Sequence, residues 1–257
     1  MKVVILCGGK GTRMRDMTEF IPKPLVPIGG KPVIWHIMKL YASFGFKEFI
    51  LCLGYKGSMI KEYFRHSDWM NNDFTIDRTS RETRLTTHEN DLEDWKITFV
   101  DTGQDTMTGG RIKRIERFVD GDEFMVTYGD GLADVDIKKL LAVHKKMGRI
   151  ATLTAVHPMS QFGVLEHENG LVRTFKEKPR LDGVINGGFF VFSRKIFRYL
   201  KDDSTILEDE PLKSLTKEGQ LSMYEHNDFW KCMDTPKDAE ELNRLWDSGS
   251  ASWKVWK

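Results

Sequence analysis

The sequence predicts one α/β domain in which helices flank a mixed, mostly parallel β-sheet. Residues 3–7 form a continuous apolar run, which is typical of a strand buried on both faces of a parallel sheet. A second run of this kind covers residues 49–53, and between the two runs residues 34–41 carry apolar side chains at helical spacing. A further helical pattern follows at residues 59–64, and this strand–helix–strand–helix order indicates a parallel α/β sheet.

The remaining elements follow in the same rhythm. Pro32 opens the first helix, because proline is preorganised for a first helical turn, and Gly45 ends it. Asn169-Gly170 is a strong hairpin signal between two short strands. The other predicted strands cover residues 97–100, 124–128, 151–156, 164–166, 172–175, 189–192, 221–224 and 229–233, and the other helices lie around residues 112–119, 137–144 and 239–246.

Residues 65–96 interrupt this rhythm and form a predicted loop-rich insertion with some short strands. The stretch is rich in polar and charged residues and has little periodicity, and a loop of this length is usually functional or disordered. We predict a single domain over residues 1–257, with a helical, tryptophan-rich tail at residues 236–257.

Composition and charge narrow the function. The 257 residues are 40% hydrophobic and 30% charged, which suits a globular domain with a substantial core. A formal net charge of +1 gives no sign of a nucleic-acid-binding surface. The three cysteines form no CxxC pair, so we expect neither a zinc site nor disulfides, and a reducing cytoplasm. We find no signal peptide and no apolar segment long enough to span a membrane.

A glycine-rich loop, Gly-Gly-Lys-Gly-Thr-Arg at residues 8–13, directly follows the first strand. Glycines let backbone N–H groups approach a phosphate closely, and consecutive N–H groups can form an anion nest. The loop has neither the Walker A spacing of an ATPase nor the Gly-x-Gly-x-x-Gly pattern of a dinucleotide site. A tight strand-to-loop turn is the alternative interpretation.

Two cations favour a phosphate site over a simple turn. Arg13 places a permanent, forked cation beside the loop. Lys23 lies between Pro22 and Pro24, which stiffen the segment that carries it. The loop and the two cations together can hold a triphosphate and neutralise the charge that moves during transfer.

Two aspartates follow predicted strands, Asp130 after residues 124–128 and Asp234 after residues 229–233. A carboxylate at the C-terminal end of a parallel strand points into the crevice where ligands of α/β proteins bind. Two carboxylates and phosphate oxygens form the oxygen-rich shell that Mg²⁺ prefers. The alternatives are a turn or N-cap role for Asp130 and capping of the C-terminal helix for Asp234.

Two short motifs lie further along the chain. Glu177-Lys178-Pro179 ends the second strand of the predicted hairpin, and Asn186-Gly187-Gly188 lies inside an apolar strand. Glycine inside a strand often marks the close approach of a ligand or of another backbone. From the residues alone, Glu177-Lys178-Pro179 is a weak motif, because charged residues before a proline usually form a solvated strand end. The alternative for Asn186-Gly187-Gly188 is a β-bulge.

The loop at residues 8–13, followed by Pro-Lys-Pro at residues 22–24, resembles the signature of the sugar-1-phosphate nucleotidyltransferases, although Cys7 stands where that family more often has alanine or glycine. The resemblance implies a Rossmann-like nucleotide-diphospho-sugar transferase fold. It also implies catalytic roles for Arg13, Lys23 and Asp130, and Mg²⁺ held by Asp130 and Asp234. The nucleotide-binding residues that it implies are Leu6, Gly8, Gly9, Gly11, Thr12, Arg13, Lys23, Thr108, Gly109, Arg111, Tyr128 and Gly129. The sugar-phosphate-binding residues that it implies are Glu177, Lys178, Asn186 and Gly187.

Other segments are similar to the glucose-1-phosphate cytidylyltransferases of this family. Thr-Gly-Gly-Arg at residues 108–111 stands where thymidylyl and uridylyl members usually carry a Pro-x-Gly-type segment. The similarity spans essentially the whole chain. It implies CTP and α-D-glucose 1-phosphate as substrates, CDP-glucose as product, a role in nucleotide-sugar and O-antigen or other polysaccharide biosynthesis, and a homo-oligomer such as a hexamer.

The insertion at residues 65–96 has the weakest likeness to the family. Basic residues in this insertion could select a different sugar 1-phosphate. The alternative is that they form a solvated surface. These residues are Arg78, Arg81, Arg84 and His88.

The expected mechanism is one in-line displacement, in which the sugar phosphate attacks the α-phosphorus of CTP and pyrophosphate leaves. Phosphoryl-type transfer depends mainly on positioning and electrostatics, so no protein nucleophile is required. Mg²⁺ would bridge the attacking phosphate and the α-phosphate. Arg13 and Lys23 would stabilise the shifting charge, and Lys178 would align the attacker.

Other classes fit the residues less well. A catalytically inactive, nucleotidyltransferase-like binding or regulatory module would have lost cations or carboxylates that this chain retains. A nucleotide-sugar-dependent glycosyltransferase usually has an Asp-x-Asp metal motif. Asp134-Val135-Asp136 has that spacing, but it begins a predicted helix and we expect it to cap that helix. A dehydrogenase is disfavoured by the loop spacing.

Overall fold

The computed structural model of the chain describes residues 1–11, 14, 18–70, 73–79, 84–87, 93–160 and 162–256, with the backbone alone at residues 67–70, 74 and 84–87. The α-helices of these residues are α1 (Val33–Ser43), α2 (Gly57–Met70), α3 (Thr108–Arg114), α4 (Ile137–Met147), α5 (Glu210–Lys217) and α6 (Pro236–Asp247). Short 3-10 helices cover Lys23–Leu25, Glu116–Phe118 and Arg194–Tyr199.

The β-strands of the same residues alternate with these helices. The first group is β1 (Val3–Cys7), β2 (Pro27–Ile28), β3 (Lys31–Pro32), β4 (Glu48–Leu53), β5 (Phe74–Asp77), β6 (Arg84–Thr87), β7 (Lys96–Asp101) and β8 (Glu123–Tyr128). The second group is β9 (Gly131–Ala133), β10 (Ala151–Val156), β11 (Val164–Glu168), β12 (Leu171–Lys176), β13 (Ile185–Ser193), β14 (Leu221–His226) and β15 (Trp230–Cys232).

A sheet of seven of the described strands has the order β14-β10-β13-β8-β1-β4-β7. β1 pairs in parallel with both β4 and β8, β4 pairs in parallel with β7, and β10 pairs in parallel with β14. β13 runs antiparallel to its neighbours β8 and β10. The prediction of a mixed, mostly parallel sheet is therefore confirmed.

Apolar clusters cover both faces of this sheet. Val3 and Ile5 of β1 belong to one cluster with α1, and Val4 and Leu6 belong to the other with Ile112 of α3. Successive side chains of a strand point to opposite faces, so a central strand must be apolar throughout to be buried on both sides. Among the described residues, no helix is long and apolar enough to cross a membrane.

Some elements were not predicted or differ in extent. α2 continues to Met70, into the region predicted to be loop-rich, and β5 pairs with β6 as a hairpin in the same region. α5 was missed altogether, because its buried face consists only of Pro211, Leu212 and Leu215 and a run of charged residues precedes it. The short antiparallel pair of β9 and β15 was also missed as a pairing.

The C-terminal tail packs against its own chain, around the buried side chain of His36. Trp253 is 1% exposed, and its indole Nε1 donates to His36 Nδ1 at 3.3 Å. His36 Nε2 in turn donates to the carbonyl oxygen of Ile28 at 2.8 Å. Trp246 lies directly over Gly29, where an added Cβ would come within 2.1 Å of the indole ring. These contacts hold His36 as the neutral Nε2–H tautomer.

We expect the folded protein to lose stability in mild acid because of His36. Burial lowers the pKa of His36 from 6.5 to about 4. The unfolded chain therefore takes up a proton below pH 6.5 that the folded protein accepts only near pH 4. Stability is then fully present above pH 6.5 and falls as the pH drops towards 4, by up to about 3 kcal/mol from this group. Urea unfolding across this range measures the loss.

The matched variant is His36→Gln, whose amide can still donate and accept hydrogen bonds but does not ionise in this range. Its stability should depend less on pH than that of the wild-type protein, although it can be lower at neutral pH. An identical pH dependence of the two proteins would show that His36 does not cause the acid sensitivity.

Candidate active site

A cavity of about 460 Å³ opens where β1 and β8 end. Ligands of open α/β sheets bind at this carboxyl end of the parallel strands. The structure brings together the following predicted site residues as its lining: Leu6, Gly8, Gly9, Gly11, Lys23, Thr108, Arg111, Tyr128, Gly129, Asp130 and Asp234. Thr12 and Arg13, which were predicted to bind the nucleotide, lie outside the described residues.

Lys23 joins the two aspartates inside the cavity. Its Nζ lies 2.6 Å from an oxygen of Asp130 and 2.8 Å from an oxygen of Asp234, and its side chain is 12% exposed. Burial alone would lower the pKa of Lys23, but the charge of Asp130 and hydrogen bonds to both carboxylates hold that pKa above its ordinary value. Lys23 therefore stays charged and neutralises part of the carboxylate pair.

The chain reaches this arrangement from distant segments. Lys23 lies between Pro22 and Pro24 and is the first residue of a 3-10 helix. Asp130 follows β8, and Asp234 follows β15. β15 pairs with β9, which itself comes directly after Asp130, and the backbone N–H of Met233 donates to the carbonyl oxygen of Asp130 at 2.9 Å. This pairing fixes the two carboxylates beside each other.

The donor atoms of the pair can hold a divalent cation. Ligand atoms of Asp130, Asp234 and Cys232 lie within 4.8 Å of one another. Burial, and then the charge of Asp130, raise the pKa of Cys232, so its thiol keeps the proton and the carboxylates are the anionic donors. Hard cations such as Mg²⁺ prefer carboxylate and phosphate oxygens, which is the donor set that this site and a bound triphosphate would provide.

The structure decides the capping alternative for Asp234 and shows what the Asp-x-Asp segment does. Thr235, not Asp234, is the N-cap of α6, and it forms a capping box with Asp238. In the Asp-x-Asp segment, Asp136 caps α4 through the backbone N–H of Lys139, as expected. In contrast, Oδ1 of Asp134 lies 3.0 Å from Nε2 of His226. No residue of this Asp-x-Asp segment lines the cavity.

Arg111 lines the cavity, but both of its terminal nitrogens donate hydrogen bonds to oxygens of the protein. Its Nη1 donates to the carbonyl oxygens of Leu53 and Gly103 and to Thr102 Oγ1, and its Nη2 donates to the carbonyl oxygens of Gly8 and Gln104. Arg111 is 5% exposed, and burial lowers its pKa. An added Cβ on Gly8 would lie 2.1 Å from the guanidinium. Arg111 therefore supports the glycine-rich loop from within the protein, and its predicted contact with the nucleotide stays a prediction.

Gly109 also has a structural partner. An added Cβ would lie 2.9 Å from the carbonyl oxygen of Thr205, and one on Gly110 would lie 2.7 Å from the Cα of Asp203. Both glycines thus let residues 203–208 pack closely against the start of α3. Gly109 does not line the cavity, and its predicted contact with the nucleotide stays a prediction.

The predicted sugar-phosphate residues lie beyond the cavity lining. Asn186 Nδ2 donates to the Tyr128 hydroxyl at 3.3 Å, and Gly187 accepts at its carbonyl oxygen from Trp230 Nε1 at 2.8 Å. Glu177 and Lys178 are exposed after β12, with their charged groups 4.0 Å apart. The structure brings Asn186 next to the cavity through Tyr128, but it does not bring Glu177 and Lys178 to it.

Sequence reasoning missed Glu208, which accepts hydrogen bonds from Thr108 and Tyr128. Burial, followed by the charge of Glu208, raises the pKa of Tyr128, so its hydroxyl keeps a proton to donate. Glu208 lies in a charged stretch that looks like a solvated surface. The Tyr128 ring rests on Gly188 of the Asn-Gly-Gly motif, for which the sequence predicted a close approach of a ligand or of another backbone.

Comparisons with known proteins show the family of this chain. The family model described as Nucleotidyl transferase matches residues 2–246. The chain is 51% identical to the "Probable glucose-1-phosphate cytidylyltransferase" of Bacillus subtilis (strain 168) over the full length of both. It is 49% identical to the glucose-1-phosphate cytidylyltransferase of Salmonella typhi, again over the full length of both.

Solved structures share the fold. HddC from Yersinia pseudotuberculosis complexed with GMP-PN has a TM-score of 0.70 at 24% identity, covering 95% of this chain and 99% of that one. Apo-UDP-glucose pyrophosphorylase has a TM-score of 0.71 at 18% identity, covering 96% of this chain and 98% of that one. The full-length identity to curated relatives, the family match and the common fold together mean that this chain belongs to the nucleotidyl transferase family.

Proposed function

We propose that this protein transfers CMP from CTP to α-D-glucose 1-phosphate, forming CDP-glucose and releasing pyrophosphate. The observation that carries the proposal is the meeting of Lys23, Asp130 and Asp234 in a cavity that the glycine-rich loop also lines. The choice of CTP and of glucose 1-phosphate is supported by the named activity of relatives that are 49% and 51% identical over the full chain.

The reaction is one displacement at phosphorus. An oxygen of the sugar phosphate bonds to the α-phosphorus of CTP, while the bond from that phosphorus to the oxygen bridging to the β-phosphate breaks, and that oxygen leaves with pyrophosphate. Catalysis of this kind comes from positioning and electrostatic stabilisation rather than from a protein nucleophile. The loop glycines Gly8, Gly9 and Gly11 line the cavity, so their backbone can approach the phosphates, and Lys23 supplies a fixed positive charge.

Asp130 and Asp234 would hold Mg²⁺ in this reaction. The ion supplies charge neutralisation and orientation to the phosphate oxygens when it is bound. Lys23 now contacts the same carboxylates, so a divalent cation competes with its ammonium group for their oxygens. Once released from the carboxylates, that ammonium group can contact the phosphates of CTP.

Lys23→Met should therefore have two opposite effects. The rate constant kcat should fall by roughly a hundredfold or more, because a preorganised cation near the reacting phosphates is removed. Mn²⁺ should bind the nucleotide-free protein more tightly than it binds wild type, because the competing ammonium group is gone. Electron paramagnetic resonance of free Mn²⁺ measures the binding without any turnover.

Lys47→Met is the control for this test. Lys47 also pairs with an aspartate, Asp94 at 2.5 Å, but it lies outside the cavity lining and is 45% exposed. The substitution Lys47→Met should change neither kcat nor Mn²⁺ binding. Weaker Mn²⁺ binding to Lys23→Met would contradict the competition between ammonium and metal.

We place the sugar phosphate on the side of the cavity where Tyr128 meets Asn186. Glu177 and Lys178 stay proposed contacts of the sugar phosphate, and they reach it only if the end of β12 and the cavity approach each other when substrate binds. Glu177→Ala and Lys178→Ala should then raise the KM for glucose 1-phosphate and leave the KM for CTP unchanged. Steady-state kinetics with each substrate varied in turn measures this.

The function itself is tested by pyrophosphate release. CTP, UTP, dTTP, GTP and ATP are each supplied with glucose 1-phosphate and Mg²⁺, and other sugar 1-phosphates follow with the preferred nucleotide. We expect release with CTP and glucose 1-phosphate. Release with CTP and only a different sugar would contradict the sugar assignment. No release with any pair, from folded protein, would contradict the enzyme assignment.

We also propose that the chain forms a homo-oligomer, as the resemblance to the cytidylyltransferases implies. The hairpin of β11 and β12 supports this, because it exposes apolar side chains that a partner would cover. These side chains are Val164, Leu165, Leu171, Val172 and Phe175. Sedimentation equilibrium should give a multiple of the chain mass of 29.8 kDa. A monomer mass at micromolar concentration would contradict the proposal.

A further inference from the structure

Glu208 connects two walls of the cavity. Its Oε2 accepts a hydrogen bond from Thr108 Oγ1 at 2.7 Å, and its Oε1 accepts one from the Tyr128 hydroxyl. Thr108 begins α3 and Tyr128 ends β8, and both line the cavity. One carboxylate is thus bound at the same time by the helix on one side of the cavity and by the strand on the other.

The backbone that carries Glu208 is itself fixed to α3. The backbone N–H of Met107 donates to the carbonyl oxygen of Asp203 at 2.8 Å, and that of Gly110 donates to the carbonyl oxygen of Thr205 at 3.1 Å. The N–H of Leu207 donates to Thr108 Oγ1 at 2.9 Å. Residues 203–207 therefore follow the start of α3 closely, and Glu208 extends from this anchored segment to Tyr128.

Tyr128 passes the connection on to β13. An added Cβ on Gly188 would lie 2.4 Å from the Tyr128 ring, so the ring rests directly on this glycine. Asn186 Nδ2 donates to the Tyr128 hydroxyl at 3.3 Å, while the same hydroxyl donates to Glu208. A continuous hydrogen-bonded chain thus runs from Thr108 through Glu208 and Tyr128 to Asn186.

We propose that Glu208 is a positioning residue for the transfer reaction. Its carboxylate fixes the separation between the start of α3, on the nucleotide side, and the Tyr128–Asn186 pair, on the sugar side. This inference rests on the proposed function, because it needs two substrates that meet between these walls. In-line transfer requires the reacting atoms to lie within about 3–3.5 Å, and a displacement of about 1 Å can cost a hundredfold in rate.

The first test compares Glu208→Ala with Glu208→Gln. Alanine removes both acceptors, so kcat should fall by roughly ten- to a hundredfold, while KM for each substrate changes by less than about threefold. Glutamine keeps an acceptor for the Tyr128 hydroxyl, and its amide can donate to Thr108 Oγ1 in place of the lost acceptor. Glu208→Gln should therefore retain most of the wild-type kcat.

Glu210→Ala is the matched control. Glu210 lies two residues further along, in the first turn of α5, and pairs with Lys201 at 2.7 Å on the surface. Its replacement should leave kcat and both KM values at wild-type levels. Melting temperatures of all variants are measured in parallel, and we expect Glu208→Ala to melt close to wild type because Glu208 is exposed.

A double-mutant cycle with Tyr128→Phe tests whether the two residues act together. Removing the hydroxyl should lower kcat in the wild-type background and have little further effect in Glu208→Ala, because residues that act through one another are not additive. Additive losses would overturn the proposal, and so would a wild-type kcat in Glu208→Ala. Equal loss of kcat and of melting temperature in the alanine and glutamine variants would also overturn it.

Failure of the proposed function is recognised separately. The wild-type protein is assayed beside every variant, and absence of pyrophosphate release from it would count against the proposed function. Turnover by wild type with no difference between wild type and Glu208→Ala would count against Glu208 alone.

Discussion

Asp130→Asn and Asp234→Asn should each lower kcat by roughly a hundredfold or more, with both proteins folded. Asparagine has nearly the shape of aspartate but lacks the negative charge that strengthens the binding of a divalent cation. Each change leaves Lys23 with one carboxylate in place of two. Mn²⁺ binding should weaken in both variants, which separates them from Lys23→Met. Pyrophosphate release and electron paramagnetic resonance measure the two effects.

Asp120→Asn is the control for these variants. Asp120 also pairs with a lysine, Lys2 at 2.8 Å, but it is 79% exposed and does not line the cavity. Exposed ion pairs of this kind contribute little to stability. The kcat and the Mn²⁺ binding of Asp120→Asn should therefore match those of wild type. Wild-type turnover by Asp234→Asn would contradict a role for Asp234 in the proposed metal site. Asp130 would then be the remaining carboxylate ligand of that site.

Gly8→Ala should destabilise the folded protein by at least about 2 kcal/mol. The added Cβ would lie 2.1 Å from two guanidinium atoms of Arg111. Arg111 cannot move aside without leaving the carbonyl oxygens that it now binds, which lie on three separate segments of the chain. Urea unfolding at neutral pH should show a lower midpoint, and the glycine-rich loop should be displaced as well.

Gly9→Ala is the matched control, because it changes the neighbouring residue in the same loop in the same way. An added Cβ on Gly9 meets nothing within 4 Å, and its backbone is not in the left-handed region. Its stability should stay within about 0.5 kcal/mol of wild type. Equal destabilisation by the two changes would mean that the whole loop resists side chains, and Arg111 would not be the cause.

The order of strands and helices was largely predictable. The runs at β1, β4 and β8 are apolar throughout because both faces of a central strand are buried, and this leaves a direct trace in the sequence. α5 left a weak trace, because a helix that buries only one narrow face among charged residues resembles a surface loop. Element positions are thus predictable to the extent that burial imposes a pattern on them.

The candidate site was predictable where the chemistry depends on residue type and strand position. The glycine-rich loop and Asp130 could be identified because they follow β1 and β8, parallel strands that end at one edge of the sheet. Lys23 and Asp234 do not follow strands of this sheet, because Lys23 begins a 3-10 helix and Asp234 follows β15, which pairs antiparallel with β9 in a separate sheet. The direction of each side chain was not predictable. From the residues alone, capping of α6 was the stronger interpretation of Asp234, but Thr235 is the cap in the structure.

The sequence by itself determined the mixed α/β fold, the position of the glycine-rich loop after β1, and the residue types that surround it. Only the tertiary structure decided that Lys23 contacts both carboxylates, that Arg111 supports the loop from within the protein, and that Glu208 joins α3 to Tyr128. The physical reason is that burial leaves a periodic pattern along the chain, whereas the partner of a polar side chain is set by donors and acceptors that folding brings from distant positions. Thr108 and Glu208, for example, are 100 residues apart.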